Sequence, residues 1–531
     1  MNGVPSCANS WLLNDVLRSS WQFDGYVTTD CDAASDVFNT HHYTPTPEEA
    51  VQVILRAGTD VDCGSFLSDN AASALAKGLI TVEDIDAALR RLFRVRLRLG
   101  HFDAPSSSPV YGIGPQDVCN DYAQELMRDG ARQSAVILKN DNRLLPLKLS
   151  SFATALAVGP NVDISDTWHY YAGSSCNGTY HKPAEALTQY IPGAVVLKGV
   201  PDVGSDNTTG VPAAAAAAAA ADLVVLMIGS DLMLEQEGHD RTSIAFSDGQ
   251  LALVAAVTAA AKGPVVALVM SGGAMDVSPL LANDKIGAVV HCGQMSSQIV
   301  GVGDVIFGKT PDGRAVAPAA RMSQMTYPAD IVNQVSMFDF GMRPGPSAWP
   351  PGTNPGRTYR FYTGMPVLPF GFGLSYTTWQ YTPIPGPSPP SAASSASRFA
   401  AVDAAARAHR ASPNSFGTIP ASLKEVAADF FVNVTNTGTV DSDDVVLGFL
   451  VPPGAGVDGV PLQELFGFER VFIPAGQTVT VYLGAQGVAF TQADTEGVRR
   501  FWPGDYTVRY GVRETAAHGM GFAESKISVS A

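Results

Sequence analysis

Three regimes of hydrophobic patterning follow one another along the chain. In the first hundred residues, short apolar runs alternate with stretches of helical period. Residues 24–30 predict a strand that ends in the carboxylate of Asp30, and residues 57–64 (Ala-Gly-Thr-Asp-Val-Asp-Cys-Gly) predict a second short strand. Between them, Thr46-Pro47-Glu48-Glu49 predicts a helix start, with proline in the first turn and acids at the positive end. Thr81-Val82-Glu83-Asp84 predicts a capped helix that runs through Leu89, Leu92, Phe93, Val95 and Leu97 and stops at Gly100. A carboxylate at the carboxyl end of a strand, with a helix to follow, is how a β/α-barrel presents a reactive side chain. Only two strands of such a unit are visible, and a parallel barrel must close because open edges leave backbone groups unpaired.

From about residue 128 to 382 the pattern changes to fully apolar strands between helices. Leu156–Pro160, Leu223–Ile228, Val265–Met270 and Ile286–Val290 are buried-strand runs, and nine alanines, Ala213–Ala221, predict a helix feeding the second of them. This alternation predicts a parallel-rich sheet covered on both faces. Residues 383–420 are rich in proline, serine and alanine and read as a linker. Beyond them, period-two alternation (Phe430, Val432, Val434; then Val445, Leu447, Phe449) with turn signals at Asn436-Thr437-Gly438 and Pro503-Gly504-Asp505 predicts a β-sandwich.

Composition narrows the class. A chain of 531 residues with 46% hydrophobic and 16% charged residues is globular and predicts two to four domains. No run approaches the ~20 apolar residues that span a bilayer. The net charge of −16 argues against nucleic acid and anionic membranes as partners. The six cysteines (Cys7, Cys31, Cys63, Cys119, Cys176, Cys292) contain no CxxC pair, so no metal site is expected, and their even number permits disulfides. Acceptor patterns at Asn177, Asn207 and Asn433 suit a secreted glycoprotein, although Met1-Asn2-Gly3-Val4-Pro5 is no signal peptide.

The candidate chemistry lies in two acidic places. Asp30 ends the first predicted strand, and Leu234-Glu235-Gln236-Glu237-Gly238-His239-Asp240-Arg241 follows the Leu223–Ile228 run. Two carboxyl groups supplied by separate domains point to glycoside hydrolysis, whose retaining form needs them about 5–5.5 Å apart. The plainer readings are a helix-capping role for Asp30, and a solvated or Arg241-paired Glu235. Asp60 and Asp62 share a strand face, but turn and hydrogen-bonding roles suit them better than a metal.

These segments resemble glycoside hydrolase family 3 in its β-xylosidase branch. The resemblance is carried by Asn2–Asn9, by the nucleophile-like strand Asp24–Asp32 with Cys31 after Asp30, by His42–Ala50 and by residues 57–64. It continues through Ile137–Asp141, Leu144–Leu147, Asn354–Tyr362 and Phe370–Thr377. The resemblance implies an α/β multidomain chain. Its parts would be a partial (β/α)8 barrel remnant (1–103), a linker (104–127), an α/β sandwich (128–382), the linker 383–420 and a fibronectin type III-like β-sandwich (421–531). It implies a secreted, retaining, exo-acting β-xylosidase that releases xylose from xylo-oligosaccharides without metal or cofactor. Asp30 would be the nucleophile and Glu235 the acid/base, with Glu237 as its rival. Cys31 would shape the sugar pocket, while pairing with Cys63 is its competing role, since adjacent barrel strands bring their ends together. The expected partner is a β-glycoside substrate, neither nucleic acid nor membrane; β-glucosidase, α-L-arabinofuranosidase or an inert sugar-binding remnant are the alternatives. The family's earlier barrel strands have no counterpart here, so the expectation is that Met1 is internal to a longer enzyme. The chain alone is then expected to show little activity and to fold poorly over residues 1–100. Two segments depart from the family pattern: His291-Cys292-Gly293-Gln294-Met295-Ser296 and Ser247-Asp248-Gly249-Gln250.

Overall fold

Thr46 is the N-cap of the helix Pro47–Ala57, its hydroxyl accepting from the Glu49 N–H, and Gly58 ends that helix in a left-handed conformation. The helix is the centre of the first of two compact units into which the computed structural model divides: Met1–Asp117 with Ala404–Lys424, and Val118–Asp403 with Glu425–Ala531. Residues 3–164, 181–294, 298–385, 392–410, 419–494 and 497–530 are described. Cys176, the Asn177 acceptor pattern, Met295 and Ser296 lie outside them.

In the first unit, Pro47–Ala57 buries Ala50 and Ile54 against Ala8, Ala34 and Val37, and Val51 against Ala74 and Ile80. Thr81 and Asp84 form a reciprocal capping box at the start of Val82–Arg98. That helix buries only Ala88, and Leu89, Phe93 and Leu97 are exposed. The two predicted strands are reduced to a single parallel bridge, Thr28 to Val61. Among the described residues neither segment has a second strand beside it, and a parallel pair without neighbours gains little ladder energy. What holds the segments together is a fully buried Asp60 side chain. It accepts from Arg18 Nη2 and Arg91 Nε, both at 2.7 Å, and from the Val27 N–H at 2.9 Å.

The second unit carries a six-stranded sheet in the order β1-β6-β5-β4-β2-β3. Its strands are β1 Val136–Asn140, β2 Ala155–Val158, β3 Val195–Leu197, β4 Leu223–Gly229, β5 Val265–Met270 and β6 Ile286–His291. All pairs are parallel except β1 with β6. Every residue of β4 and β5 is buried, which is why these stretches are apolar without alternation. The chain runs outward from β2 to β3 and returns to β4 on the other side of β2. The carboxyl ends of β2 and β4 therefore flank the switch point where open α/β sheets bind ligands.

A short hairpin, β7 Gly345–Pro346 and β8 Thr353–Asn354, precedes the sandwich. One sandwich sheet has the order β13-β10-β9 and the other β12-β11-β16-β17. Their strands are β9 Trp379–Ile384, β10 Val426–Asn436, β11 Ser442–Val451, β12 Glu464–Ile473, β13 Thr478–Gln486, β16 Gly504–Gly511 and β17 Phe522–Val529; β14 Thr491–Ala493 and β15 Arg499–Phe501 form a separate pair. The strand β9 comes from before the Pro-rich stretch, so the sandwich recruits a segment that the sequence reading gave to the α/β domain. Leu447, Phe449 and Val512 pack with Tyr359 and Phe370, joining sandwich to sheet domain. Within the stretch read as a linker, Ala392–Arg410 is a helix. Alanine and arginine favour helix, and Phe399 seals it by packing on Phe490.

Candidate active site

In the first unit, Asp30 is exposed at the carboxyl end of the Thr28 bridge segment. Its Oδ1 accepts the Cys31 N–H at 2.8 Å, which orients the carboxylate. The next residues are tied across to the second segment. Cys31 is disulfide-bonded to Cys63, the Asp32 N–H donates to the Cys63 carbonyl at 2.8 Å, and the buried Thr29 bonds the Cys63 N–H and Asp62. Cys31 thus holds the strand end covalently. Asp60 is spent on the two arginines and Asp62 on Thr29 and the Leu67 N–H. Among the described residues, no cluster of histidine, cysteine, aspartate or glutamate is arranged to hold a metal. His42, with a left-handed backbone, is bonded to the Phe38 carbonyl. Cys119 is also disulfide-bonded, whereas Cys7 and Cys292 are free thiols.

In the second unit, the site is built at the carboxyl ends of β4, β5 and β6. Gly229 closes β4 with φ +150°, and a Cβ there would lie 1.7 Å from the Met270 carbonyl oxygen. The buried Gln250 side chain accepts from the Gly229 N–H at 2.9 Å and donates to the Gly229 carbonyl at 3.0 Å. This contact, on the helix Asp248–Ala260 capped by Ser247, fixes where the next loop starts. Glu235 lies on that loop. Its Oε1 accepts from Ser230 Oγ at 2.6 Å and from the Gly273 N–H at 3.2 Å, and its Oε2 pairs with Arg241 Nε at 2.8 Å. Arg241 also donates to the Ala274 carbonyl. The pair is well shielded, with side-chain exposures of 22% for Glu235 and 11% for Arg241. A Cβ on Gly273 would lie 2.6 Å from Arg241 Nη2 and 2.8 Å from Glu235 Oε2, so a larger residue there displaces this ion pair.

Glu237 has a different setting. Gln236 and His239 exchange two backbone hydrogen bonds, which makes Glu237-Gly238 the tip of a tight turn, with Gly238 at φ +74°. Glu237 is exposed there and lines, with Glu235, Asp240, Arg241, Gln294 and Met337, a cavity of about 530 Å³. At the end of β6 His291 lies 3.3 Å from Ser271 Oγ, and burial pushes its imidazole down to about 4. Cys292 beside it is fully buried, which pushes its thiol up to about 12. Both departures from the family pattern thus have places: Gln250 clamps the end of β4, and Gln294 joins the cavity wall. Ser230, Gly273 and Met337 were not singled out in the sequence, and Gln250 stood out only within a segment that departs from the family pattern. Gly273 meets Glu235 from 38 residues away and Gln250 meets Gly229 from 21, whereas Ser230 meets Glu235 within the same loop.

Residues 1–95 match the Glycosyl hydrolase family 3 N terminal domain, 135–376 the Glycosyl hydrolase family 3 C-terminal domain, and 444–513 the Fibronectin type III-like domain. The chain belongs to glycosyl hydrolase family 3. Beta-D-xylosidase 1 of Arabidopsis thaliana is 35% identical over 522 residues, covering 96% of this chain and 64% of that protein. Beta-xylosidase/alpha-L-arabinofuranosidase 2 of Medicago sativa subsp. varia is 36% identical, covering 89% of this chain and 58% of that protein. The chain therefore spans about three fifths of the length of these relatives. Among solved structures, the GH3 exo-beta-xylosidase XlnD, in complex with a xylobiose aziridine activity-based probe, superposes with a TM-score of 0.82 at 28% identity. The match covers all of this chain and 65% of XlnD. A beta-glucosidase from Listeria innocua in complex with glucose shares the fold, with a TM-score of 0.75 at 21% identity over all of this chain and 66% of its own. Among the described residues no helix is long and apolar enough to cross a membrane.

Proposed function

We propose that this chain carries the reacting carboxyl groups of a retaining, exo-acting β-xylosidase, with Asp30 as nucleophile and Glu237 as acid/base. The observation that carries the reading is the placement of each carboxyl-bearing loop after a parallel strand segment, in a chain whose relatives at 35% and 36% identity are named as xylosidases. Glu235, the first choice for acid/base from the sequence, has both oxygens engaged by Ser230, Gly273 and Arg241. A proton donor must present an oxygen to the leaving group. Glu237 is exposed at the turn tip and lines the cavity, which suits that task, and Glu235 holds the loop that bears it.

In the first step an Asp30 oxygen bonds to the sugar C1 as the C1–oxygen bond to the leaving group breaks, and Glu237 gives its proton to that oxygen. In the second, Glu237 takes a proton from water, whose oxygen bonds to C1 and releases Asp30. The preferred substrate is a xylo-oligosaccharide with a free non-reducing end. An α-L-arabinofuranosidase side activity is the second reading, supported by the double name of the Medicago relative. Location outside the cell is part of the proposal, since the Cys31–Cys63 disulfide suits an oxidising compartment.

The test is a 2-deoxy-2-fluoro-β-xyloside with a dinitrophenolate leaving group, applied to the longest natural polypeptide that bears this sequence. The adduct is expected on the peptide containing Asp30 and is lost in Asp30→Ala. An adduct on another carboxylate contradicts the assignment. The absence of turnover and of adduct favours an inert, sugar-binding protein.

A further inference from the structure

We propose that Phe338 and Trp349 form an outer sugar subsite, a stacking platform for the units of a neutral oligosaccharide beyond the scissile bond. The proposal rests on the reading of the Glu235–Glu237 cavity given above. Met337 lines that cavity, and Phe338 follows it in the chain, so the platform begins one residue from the cavity wall. Phe338 is 58% exposed and Trp349 48% exposed, yet their rings pack at 5.4 Å with a 39° tilt. Phe340 and Met342, on the same segment, are exposed as well.

The segment is held rigidly, which makes exposure of its rings costly unless they have an occupant. Arg357 donates to the Asp339 carbonyl at 2.7 Å and its N–H to the Met342 carbonyl at 2.9 Å; Asn354 donates to the Gly341 carbonyl at 2.8 Å. On the Trp349 side, the Ser347 N–H donates to Gly352 and the Gly352 N–H to the Trp349 carbonyl. These bonds fix the backbone on either side of the two rings.

Charge and area select the occupant. Glu235, Glu237 and Asp240 outnumber Arg241 at the cavity, which disfavours an acidic ligand. A neutral pyranose offers an apolar C–H face to an aromatic ring while its hydroxyls stay in water. A second copy of the chain is a poor occupant. Both copies would bring a net charge of −16, and two half-exposed rings offer far less than the roughly 800 Å² per partner of a stable interface.

The experiment is titration calorimetry of the wild type, Trp349→Ala and Trp349→Phe with xylose and with a sulfur-linked, non-hydrolysable xylotetraose. Trp349→Ala is expected to weaken tetraose binding about three- to tenfold with xylose unchanged, and Trp349→Phe to restore most of the loss. Equal effects on both ligands, or no tetraose preference in the wild type, overturn the proposal. So does a wild type whose self-association, measured by sedimentation, is abolished by Trp349→Ala while sugar binding stays the same. Turnover of an aryl xyloside is read separately. Its absence with the calorimetric difference intact removes the catalytic reading and leaves the subsite standing.

Discussion

The corner that presents Asp30 and the loop that presents Glu237 fix their carboxylates by opposite means. Around Asp30 there is one bridge between strand segments, reinforced by a disulfide and by the buried Asp60 with its two arginines. Around Glu237 a fully buried parallel strand delivers the loop, and side chains only trim its course through Gln250 and the Glu235–Arg241 pair. Where a sheet ladder is available, fine contacts suffice for positioning. Where it is reduced to a bridge, strong local ties must replace it.

Loss of the ion cluster is expected to have the largest effect. Asp60→Ala leaves Arg18 and Arg91 facing each other in a buried site, and a loss of about 3–5 kcal/mol is expected, read by chemical denaturation of the first unit. Replacing Cys31 and Cys63 together by serine is expected to cost about 2–4 kcal/mol by the same measurement, with the second unit unaffected. In the second unit, Gly273→Ala is expected to leave global unfolding within roughly 1 kcal/mol of wild type, because the methyl displaces Arg241 rather than a core contact. The displaced loop is expected to lower turnover while the melting curve barely moves. A destabilisation as large as that of Asp60→Ala would show that both sites depend on side-chain ties alike.

Acidity separates the two regions more gently. Hydrogen bonds from Lys77 and Ser73 hold the Glu48 carboxyl down to about 2, below its ordinary 4.5, so their contribution is present above 4.5 and is lost as pH falls towards 2. Burial holds His291 down to about 4, below its ordinary 6.5. The unfolded chain therefore binds the proton first, and the second unit loses stability as pH falls from 6.5 towards 4. Glu48→Gln and His291→Gln are each expected to flatten one of these two windows in a pH series of unfolding curves. Coincident windows would contradict the division.

Much of the frame was legible because it depends on local signals. The apolar runs of β4 and β5 admit only buried strands, and Thr81 with Asp84 spells a capping box before any contact is known. The acidic loop after β4 was legible for the same reason, as a polar break after a buried run. The full set of contacts around Glu235 was not. Arg241, six residues along the same loop, was named from the sequence as a partner of Glu235, but Gly273 reaches Glu235 from the loop after β5, and sequence spacing does not encode that meeting. The helix Ala392–Arg410 was hidden by its proline- and serine-rich flanks, and β9 by the long stretch that separates it from its partner β10. The exposed Leu89, Phe93 and Leu97 show the limit of periodicity, which marks an apolar face without saying what covers it.

Azide rescue of Glu235→Ala and Glu237→Ala with dinitrophenyl β-xyloside distinguishes the two glutamates. This substrate needs no protonation of its leaving group, so an acid/base variant forms the glycosyl-enzyme and waits for a small nucleophile. With Glu237 as acid/base, azide is expected to accelerate Glu237→Ala alone and to yield β-xylosyl azide. Rescue of Glu235→Ala with Glu237→Ala unaffected, or an α-configured product, would contradict it.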